Sequence, residues 1–116
     1  MYRFEELDVW KASASLSVDI YQSLNSLKDF GFKDQITRSG LSIPSNITEG
    51  YERDSSKEAV NFIRYAKGSA GELRTQIYVG MKIGYIETET GKRWLQEAEK
   101  IIKMLSSLKT KYKNLK

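Results

Sequence analysis

A strict seven-residue repeat of apolar residues runs along the last quarter of the sequence. Its members are separated by alternating steps of four and three residues, and they are Trp94, Ala98, Ile101, Leu105, Leu108, Tyr112 and Leu115. This period keeps the apolar side chains on one face of an α-helix and packs that helix against its neighbours at roughly +20°. Such packing is typical of four-helix bundles. The repeat therefore predicts that the last helix forms one wall of a bundle.

Three earlier segments also have helical periodicity. We predict helices over about 6–28, over about 33–53, and from a Ser55 cap to about residue 83. Short boundaries separate them, and the single proline of the chain argues against a turn-rich β fold. The sequence therefore predicts one all-α domain over residues 1–116, folded as an antiparallel up-and-down four-helix bundle.

Particular residues predict where these helices end and bend. Gly31 is predicted to take a left-handed conformation after helix one, and Gly84 to end helix three. Ser55 begins a capping box for helix three, and Thr88 is predicted to cap helix four. Pro44 lies inside helix two, where the periodicity continues past it, so we expect a kinked but continuous helix.

Helix one has more apolar surface than a lone bundle needs. One stripe comprises Leu7, Trp10, Ala14, Val18 and Tyr21, and a second comprises Val9, Leu16, Ile20, Leu24 and Leu27. Together the two stripes form a wider apolar surface than one neighbouring helix covers. The remaining apolar surface is therefore expected to pack against a second helix or another subunit. Gly68 and Gly71 in helix three similarly predict the close approach of another backbone, because each glycine there costs about 1 kcal/mol relative to alanine.

Composition excludes most catalytic and metal sites. The chain has no cysteine and no histidine, which removes disulfides, zinc–thiolate sites, cysteine nucleophiles and the usual general base. Di-iron bundles need Glu-x-x-His pairs, and no Walker or dinucleotide-binding motif is present. We therefore predict a protein that is not an enzyme, with no catalytic residue, no metal site and no cofactor.

The sequence also indicates a cytoplasmic protein. The first ten residues contain three acidic residues and no apolar core follows them, unlike a signal peptide. No run of apolar residues is long enough to span a membrane.

Positive charge is concentrated at the end of helix four. The net charge is +4, and residues 100–116 contain six lysines and no acidic residue. Such a segment attracts a phosphate backbone through counterion release. An alternative is that lysines near a helix C-terminus stabilise the helix dipole and keep the protein soluble. Charge alone does not decide between them.

Polar stripes border the apolar faces of helices two and three. The first comprises Gln35, Ser39, Ser42, Asn46, Glu49 and Arg53, and the second comprises Tyr65, Ser69, Glu72 and Gln76. They are interpreted either as a ligand or nucleic-acid site or as a hydrogen-bonded network at a helix or subunit interface. We favour the network, because paired polar groups fix helix register.

Three motifs resemble one known family over nearly the whole chain. They are F-E-E-L-D-V-W-K-A at 4–12, Q-I-T-R-S-G-L-S-I-P-S-N-I-T-E-G at 35–50 and A-K-G-S-A-G-E-L-R-T-Q at 66–76. With them the chain is similar to the 23S rRNA intervening-sequence proteins, sometimes labelled ribosomal proteins. The resemblance implies a bacterial, cytoplasmic bundle that forms a homopentameric ring and has no established enzymatic activity. A related accessory protein of diversity-generating retroelements is pentameric and binds nucleic acid and a reverse transcriptase.

Together these observations predict a non-enzymatic homo-oligomer, which by the resemblance is a pentamer, that binds rRNA or other nucleic acid through basic residues. The candidate phosphate contacts are Arg53, Arg64, Lys67, Arg74, Lys109, Lys111 and Lys113. The residues assigned first to a structural polar network are Arg38, Asn46, Glu49 and Glu72. The alternatives are an adaptor that docks a partner enzyme such as a reverse transcriptase, and a bundle that holds a small ligand in an internal pocket.

Overall fold

The computed structural model describes residues 3–115. It contains four α-helices, and each helix packs against its neighbours along the chain. A 3₁₀ turn, Phe4–Glu6, precedes α1 (Asp8–Ser23), α2 (Phe30–Tyr51), α3 (Ser56–Lys82) and α4 (Thr88–Lys113). The last helix also packs against the first, and the backbones of the diagonal pairs, α1 with α3 and α2 with α4, lie farther apart within residues 3–115. The resulting bundle measures 47 × 21 × 20 Å. The predicted all-α, up-and-down four-helix fold is confirmed.

The seven-residue repeat of α4 forms the wall of the core that its spacing predicts. Trp94, Ala98, Ile101 and Leu105 are buried, and Leu108 and Tyr112 pack partly against the same core. The repeat ends with the helix, since Leu115 lies beyond α4 and is exposed. A matching repeat in α3 faces it and consists of Ala59, Ile63, Ala66, Ala70, Leu73, Ile77 and Gly80.

The boundary between α1 and α2 differs from the prediction. Helix α1 ends at Ser23, and α2 begins at Phe30, so Gly31 lies in the first turn of α2 without a positive φ. The reason is the Asp29 side chain, which accepts a 3.1 Å hydrogen bond from the backbone N–H of Phe32 and starts the helix early. The prediction for Gly31 is therefore wrong.

The glycine prediction at the end of α3 is confirmed. Gly84 has a φ of +88°, the one positive value among residues 3–115. The N–H of Tyr85 donates to the carbonyl of Gly80 at 2.8 Å, and that of Gly84 to the carbonyl of Met81 at 3.2 Å. These two bonds form a Schellman motif, which satisfies the free carbonyl groups at the end of the helix.

The two predicted N-terminal caps have different outcomes. Ser55 caps α3 as predicted, with its Oγ accepting a 3.2 Å hydrogen bond from the N–H of Glu58. The prediction for Thr88 is wrong, because Thr88 is the first residue of α4 and Glu87 is the cap. The carbonyl of Glu87 accepts the first helical bond, from the N–H of Gly91 at 2.8 Å, so the cap lies one residue before the predicted position.

Helix α2 continues through Pro44, which is buried within it, and this confirms the predicted continuity. The kink expected at this proline stays a prediction. In α3, Gly68 and Gly71 are exposed, and a Cβ built on either has no neighbouring atom within 4 Å. No other backbone of residues 3–115 makes the close approach expected there.

Helix α1 leaves part of its apolar surface uncovered. Its inner stripe, which includes Leu16 and Ile20, is buried. On the outer stripe Val18 remains 54% exposed and Tyr21 48% exposed. The predicted excess of apolar surface on this helix is therefore present. Along residues 3–115 no helix combines the length and apolarity that crossing a membrane requires.

Candidate nucleic-acid interface

Lys109 on α4 lies within electrostatic reach of three other cations, two on α3 and one on α4. Arg64 and Lys67 lie one turn apart on α3, and Lys109 and Lys113 lie one turn apart on α4. Their proximity lowers the pKa of Lys109, with Lys67 as the largest cause, followed by partial desolvation and then by Arg64 and Lys113. We call these four residues the basic cluster.

The basic cluster has no acidic partner within ion-pair distance in the described part of the chain. Among residues 3–115, none of its four cations makes an ion pair. Arg64 is instead oriented by Asn61, whose Oδ1 accepts a 3.1 Å hydrogen bond from the guanidinium. A cluster of unpaired like charges creates a positive potential that an anion relieves. Asn61 is a contributor that sequence reasoning missed, although its three-residue spacing from Arg64 was visible.

Three other predicted phosphate contacts lie outside this cluster. Arg53 pairs with Glu49 at 2.8 Å, and its guanidinium carbon lies 4.6 Å from the centre of the Phe62 ring. Arg74 pairs with Glu99 at 3.5 Å and thereby links α3 to α4. Lys111 is exposed and points to another side of α4, because it is only two residues from Lys109. The structure therefore brings together Arg64, Lys67, Lys109 and Lys113 alone.

A short polar contact joins α2 to α3. The hydroxyl oxygens of Ser42 and Ser69 are 2.8 Å apart and share a hydrogen bond. The amide of Asn46 donates to the carbonyl and to Oγ of Ser42, at 2.9 and 3.0 Å. Of the four residues assigned to a structural network, Asn46 is the one that reaches this contact.

The other three network residues lie elsewhere. Arg38 pairs with Asp34 at 3.2 Å between successive turns of α2, and Glu49 near the end of α2 pairs with Arg53, which lies just beyond the helix. Glu72 lines a groove of about 280 Å³ between α2 and α3 and makes no hydrogen bond or ion pair with another described residue. The two exposed ion pairs, Arg38 with Asp34 and Glu49 with Arg53, contribute about 0.3–0.5 kcal/mol each to the stability of the fold.

Cavities along residues 3–115 are open grooves between helices. One of them, of about 510 Å³, lies between α1 and α4 and is lined by residues that include Leu16 and Arg93. No group of three or more carboxylates among the described residues is arranged to hold a metal ion. The arrangement with the most distinct chemistry is therefore the basic cluster, which can attract anions.

Comparison with known proteins agrees with the fold. The family model described as 23S rRNA-intervening sequence protein matches residues 5–107. A crystal structure of a protein of unknown function from the S23 ribosomal protein family of Bacteroides thetaiotaomicron VPI-5482 superposes with a TM-score of 0.81. That chain is 30% identical in sequence, and the match covers 86% of the present chain and 96% of the other. No curated protein matches the sequence significantly. Neither similarity indicates a catalytic family.

Proposed function

This chain belongs to the 23S rRNA-intervening sequence protein family, and we propose that it is a non-enzymatic, homo-oligomeric scaffold that binds RNA or DNA in the cytoplasm. The basic cluster is the observation that carries this proposal. Lys109 on α4 is repelled by Lys67 and Arg64 on α3 and by Lys113, and none of these four cations makes an ion pair among residues 3–115. Phosphate groups are the polyanionic ligands that such a surface attracts, and release of their counterions drives binding.

Self-association strengthens the same interaction. A single cluster makes few phosphate contacts and is expected to bind weakly. Copies held together present their clusters at fixed spacing, so one nucleic acid engages several of them at a high effective concentration. The uncovered apolar surface around Val18 supports association of copies, as a pentamer or another closed ring. Contacts to the phosphate backbone carry no base information, so we expect weak sequence preference.

Binding across a salt series tests the proposal. Affinity for a generic DNA duplex and for an rRNA fragment is measured by fluorescence anisotropy at several salt concentrations. If all four cations of one cluster contact phosphates, log Kd changes with log salt concentration with a slope of about 3–4 for B-DNA. A salt-independent affinity, or no binding at low salt, contradicts the proposal.

A pair of double variants separates the cluster from net charge. Replacing both Lys67 and Lys109 with Glu should weaken nucleic-acid binding about tenfold or more, because two phosphate contacts become repulsive. Reversing Lys92 and Lys103, which are exposed on α4 away from the cluster, changes the net charge equally and should weaken binding much less. Equal losses in the two variants would show that the cluster has no special part in binding.

The uncovered surface of α1 favours a second candidate function. Val18 and Tyr21 could instead receive a partner protein, which would make the chain an adaptor for an enzyme such as a reverse transcriptase. Purification from the native host after nuclease treatment and a high-salt wash distinguishes the two. A stoichiometric enzyme that survives both steps supports the adaptor, whereas its loss favours the nucleic-acid scaffold.

A further inference from the structure

Three flat side chains lie in a row along the flank of α3 that faces α2. The guanidinium carbon of Arg53 lies 4.6 Å from the centre of the Phe62 ring. That ring meets the ring of Tyr65 edge to face, with centroids 5.4 Å apart and planes at 86°. Phe62 faces α2, because a Cβ built on Gly50 lies 3.3 Å from its own Cβ, and Tyr65 is one turn further along the same flank. We call Arg53, Phe62 and Tyr65 the stacking row.

The outer member of the stacking row is exposed and oriented by its neighbour. Tyr65 is 57% exposed, whereas Phe62 is half-buried. An edge-to-face contact occupies at most one face of a ring, so the other face of Tyr65 is open to a planar ligand. The contact with Phe62 also restricts the Tyr65 side chain, and a ligand that stacks on it therefore loses less conformational entropy on binding.

The basic cluster borders the other flank of α3, and Gly68 lies between the two. Gly68 is four residues after Arg64 and three after Tyr65, so it adjoins both side chains on the helix surface. It is exposed, and a Cβ built on it has no neighbouring atom within 4 Å. A bound chain can therefore cross the outer face of α3 over bare backbone, from the basic cluster to Tyr65.

We infer that the basic cluster and the stacking row together bind a single-stranded nucleic acid, with its phosphates on the cluster and a base stacked on Tyr65. This inference rests on the function proposed above and names its ligand, which is an unpaired strand of RNA or DNA. A positively charged surface beside exposed aromatic rings is the arrangement that binds single strands without sequence preference. The bases of a duplex are paired and stacked on each other, so a duplex offers phosphates to the cluster but no base face to Tyr65.

Acidic side chains bound the stacking row at both ends. Glu58 and Glu72 lie two turns before and two turns after Tyr65 on the same flank of α3. Glu58 lies 4.0 Å from the guanidinium of Arg53, and both carboxylates repel a phosphate backbone. The phosphates are therefore kept on the flank of the basic cluster, and the bases on the flank of Tyr65. The two glutamates are about 21 Å apart along the helix axis, which leaves room for only a few bases.

The test compares a single strand with a duplex. Fluorescence anisotropy at low salt measures the affinity of the full chain for an oligouridine and for a blunt RNA hairpin with the same number of phosphates. The oligouridine should bind about tenfold more tightly, because a base that stacks on an aromatic ring adds to the phosphate contacts. An oligomer of the same length without bases should lose this advantage.

Substitutions of Tyr65 separate stacking from charge. Tyr65→Ser should weaken binding of the oligouridine about tenfold and leave binding of the hairpin unchanged. Its dependence on salt should stay the same, because no phosphate contact is removed. Tyr65→Phe keeps the ring and should bind as the unsubstituted chain does. The matched control is Tyr78→Ser, which removes another exposed tyrosine of α3 more than three turns away.

A second pair of variants tests the path across α3. Gly68→Leu fills the crossing without a clash inside the chain and should weaken binding of the oligouridine alone. Thr75→Leu, at an exposed position two turns further along α3, should change neither affinity.

The possible outcomes separate this inference from the proposed function. The inference is overturned if Tyr65→Ser keeps its affinity for the oligouridine, or if the unsubstituted chain binds the hairpin as tightly as the single strand. Salt-dependent binding of the hairpin in either case leaves the proposed function standing. If neither nucleic acid binds at low salt, the proposed function is wrong, and the inference is wrong with it.

Discussion

The carboxylate of Asp19 in α1 accepts a 2.7 Å hydrogen bond from the indole N–H of Trp94 in α4. Trp94 is fully buried, whereas Asp19 reaches the surface and also accepts a 2.9 Å bond from Arg93. The contact closes the bundle, since it joins the first helix to the last. A buried indole needs an acceptor, and α1 supplies one at its edge.

Removing the acceptor should destabilise the bundle. Asp19→Ala leaves the indole N–H of Trp94 buried and unpaired, so the free energy of unfolding should fall by about 1–3 kcal/mol. Asp19→Asn keeps an acceptor oxygen and should lose less. Arg93→Ala removes only an exposed ion pair and serves as the control, with an expected loss of about 0.2–1 kcal/mol. Urea denaturation followed by tryptophan fluorescence measures all three, and a loss in Asp19→Ala no larger than in Arg93→Ala would contradict the role of the buried bond.

Acid should weaken the fold through two carboxylates. The bond from Trp94 is the largest cause that lowers the pKa of Asp19. The pKa of Asp29 is lowered first by the backbone N–H of Phe32 and then by the hydroxyl of Tyr85. A carboxyl group whose pKa is lower in the folded state stabilises it above its unfolded pKa, about 3.9, and this contribution is lost as the pH falls through the folded value.

The acid range therefore distinguishes the variants. Between pH 7 and about 5, urea midpoints should change little on account of these groups. Below about pH 4 the midpoint of the unsubstituted chain should fall, and that of Asp19→Asn should fall less, because one of the two titrating groups is absent. Parallel acid dependence in the two proteins would show that Asp19 titrates alike in the folded and unfolded states.

Two glycines of α3 should respond in opposite directions to alanine. Gly71 is exposed with open space around it, so Gly71→Ala should stabilise the fold by about 1 kcal/mol through helix propensity. At Gly80 an added Cβ lies 2.9 Å from the ring of Phe32 and 2.5 Å from Ile86. Gly80→Ala should therefore destabilise by about 1–3 kcal/mol through overpacking. Thermal unfolding measures both, and stabilisation by Gly80→Ala would mean that Phe32 and Ile86 shift freely.

The sequence analysis correctly predicted structural features that depend on local residue spacing, but it missed contacts that depend on how the helices align. The repeat beginning at Trp94 identified the core face of α4, and Gly84 and Ser55 act where their conformational preferences indicate. The prediction for Gly31 failed because Asp29 caps a helix that begins at Phe30, three residues before the predicted start at residue 33.

The basic cluster shows the same limit across helices. Seven cations were candidates, and nothing in their spacing tells which of them meet. Their selection depends on the turn at Gly84, which sets α4 antiparallel to α3 and places Lys109 beside Lys67. The partnership of Asp19 with Trp94 was missed for the same reason, since 75 residues separate the two.

Lys67 should affect stability and binding in opposite directions. Because Lys67 is the main neighbour that lowers the pKa of Lys109, Lys67→Gln removes a like-charge repulsion and should raise the unfolding temperature slightly at low salt. Added salt screens that repulsion, so the difference from the unsubstituted chain should shrink as salt increases. The same variant should weaken nucleic-acid binding and reduce the salt slope by about one, because it removes one phosphate contact. Lys92→Gln removes an equal charge outside the cluster and should change the unfolding temperature and the binding affinity less. If Lys67→Gln lost stability at low salt and kept its affinity for nucleic acid, Lys67 would support the fold and not the binding of the ligand.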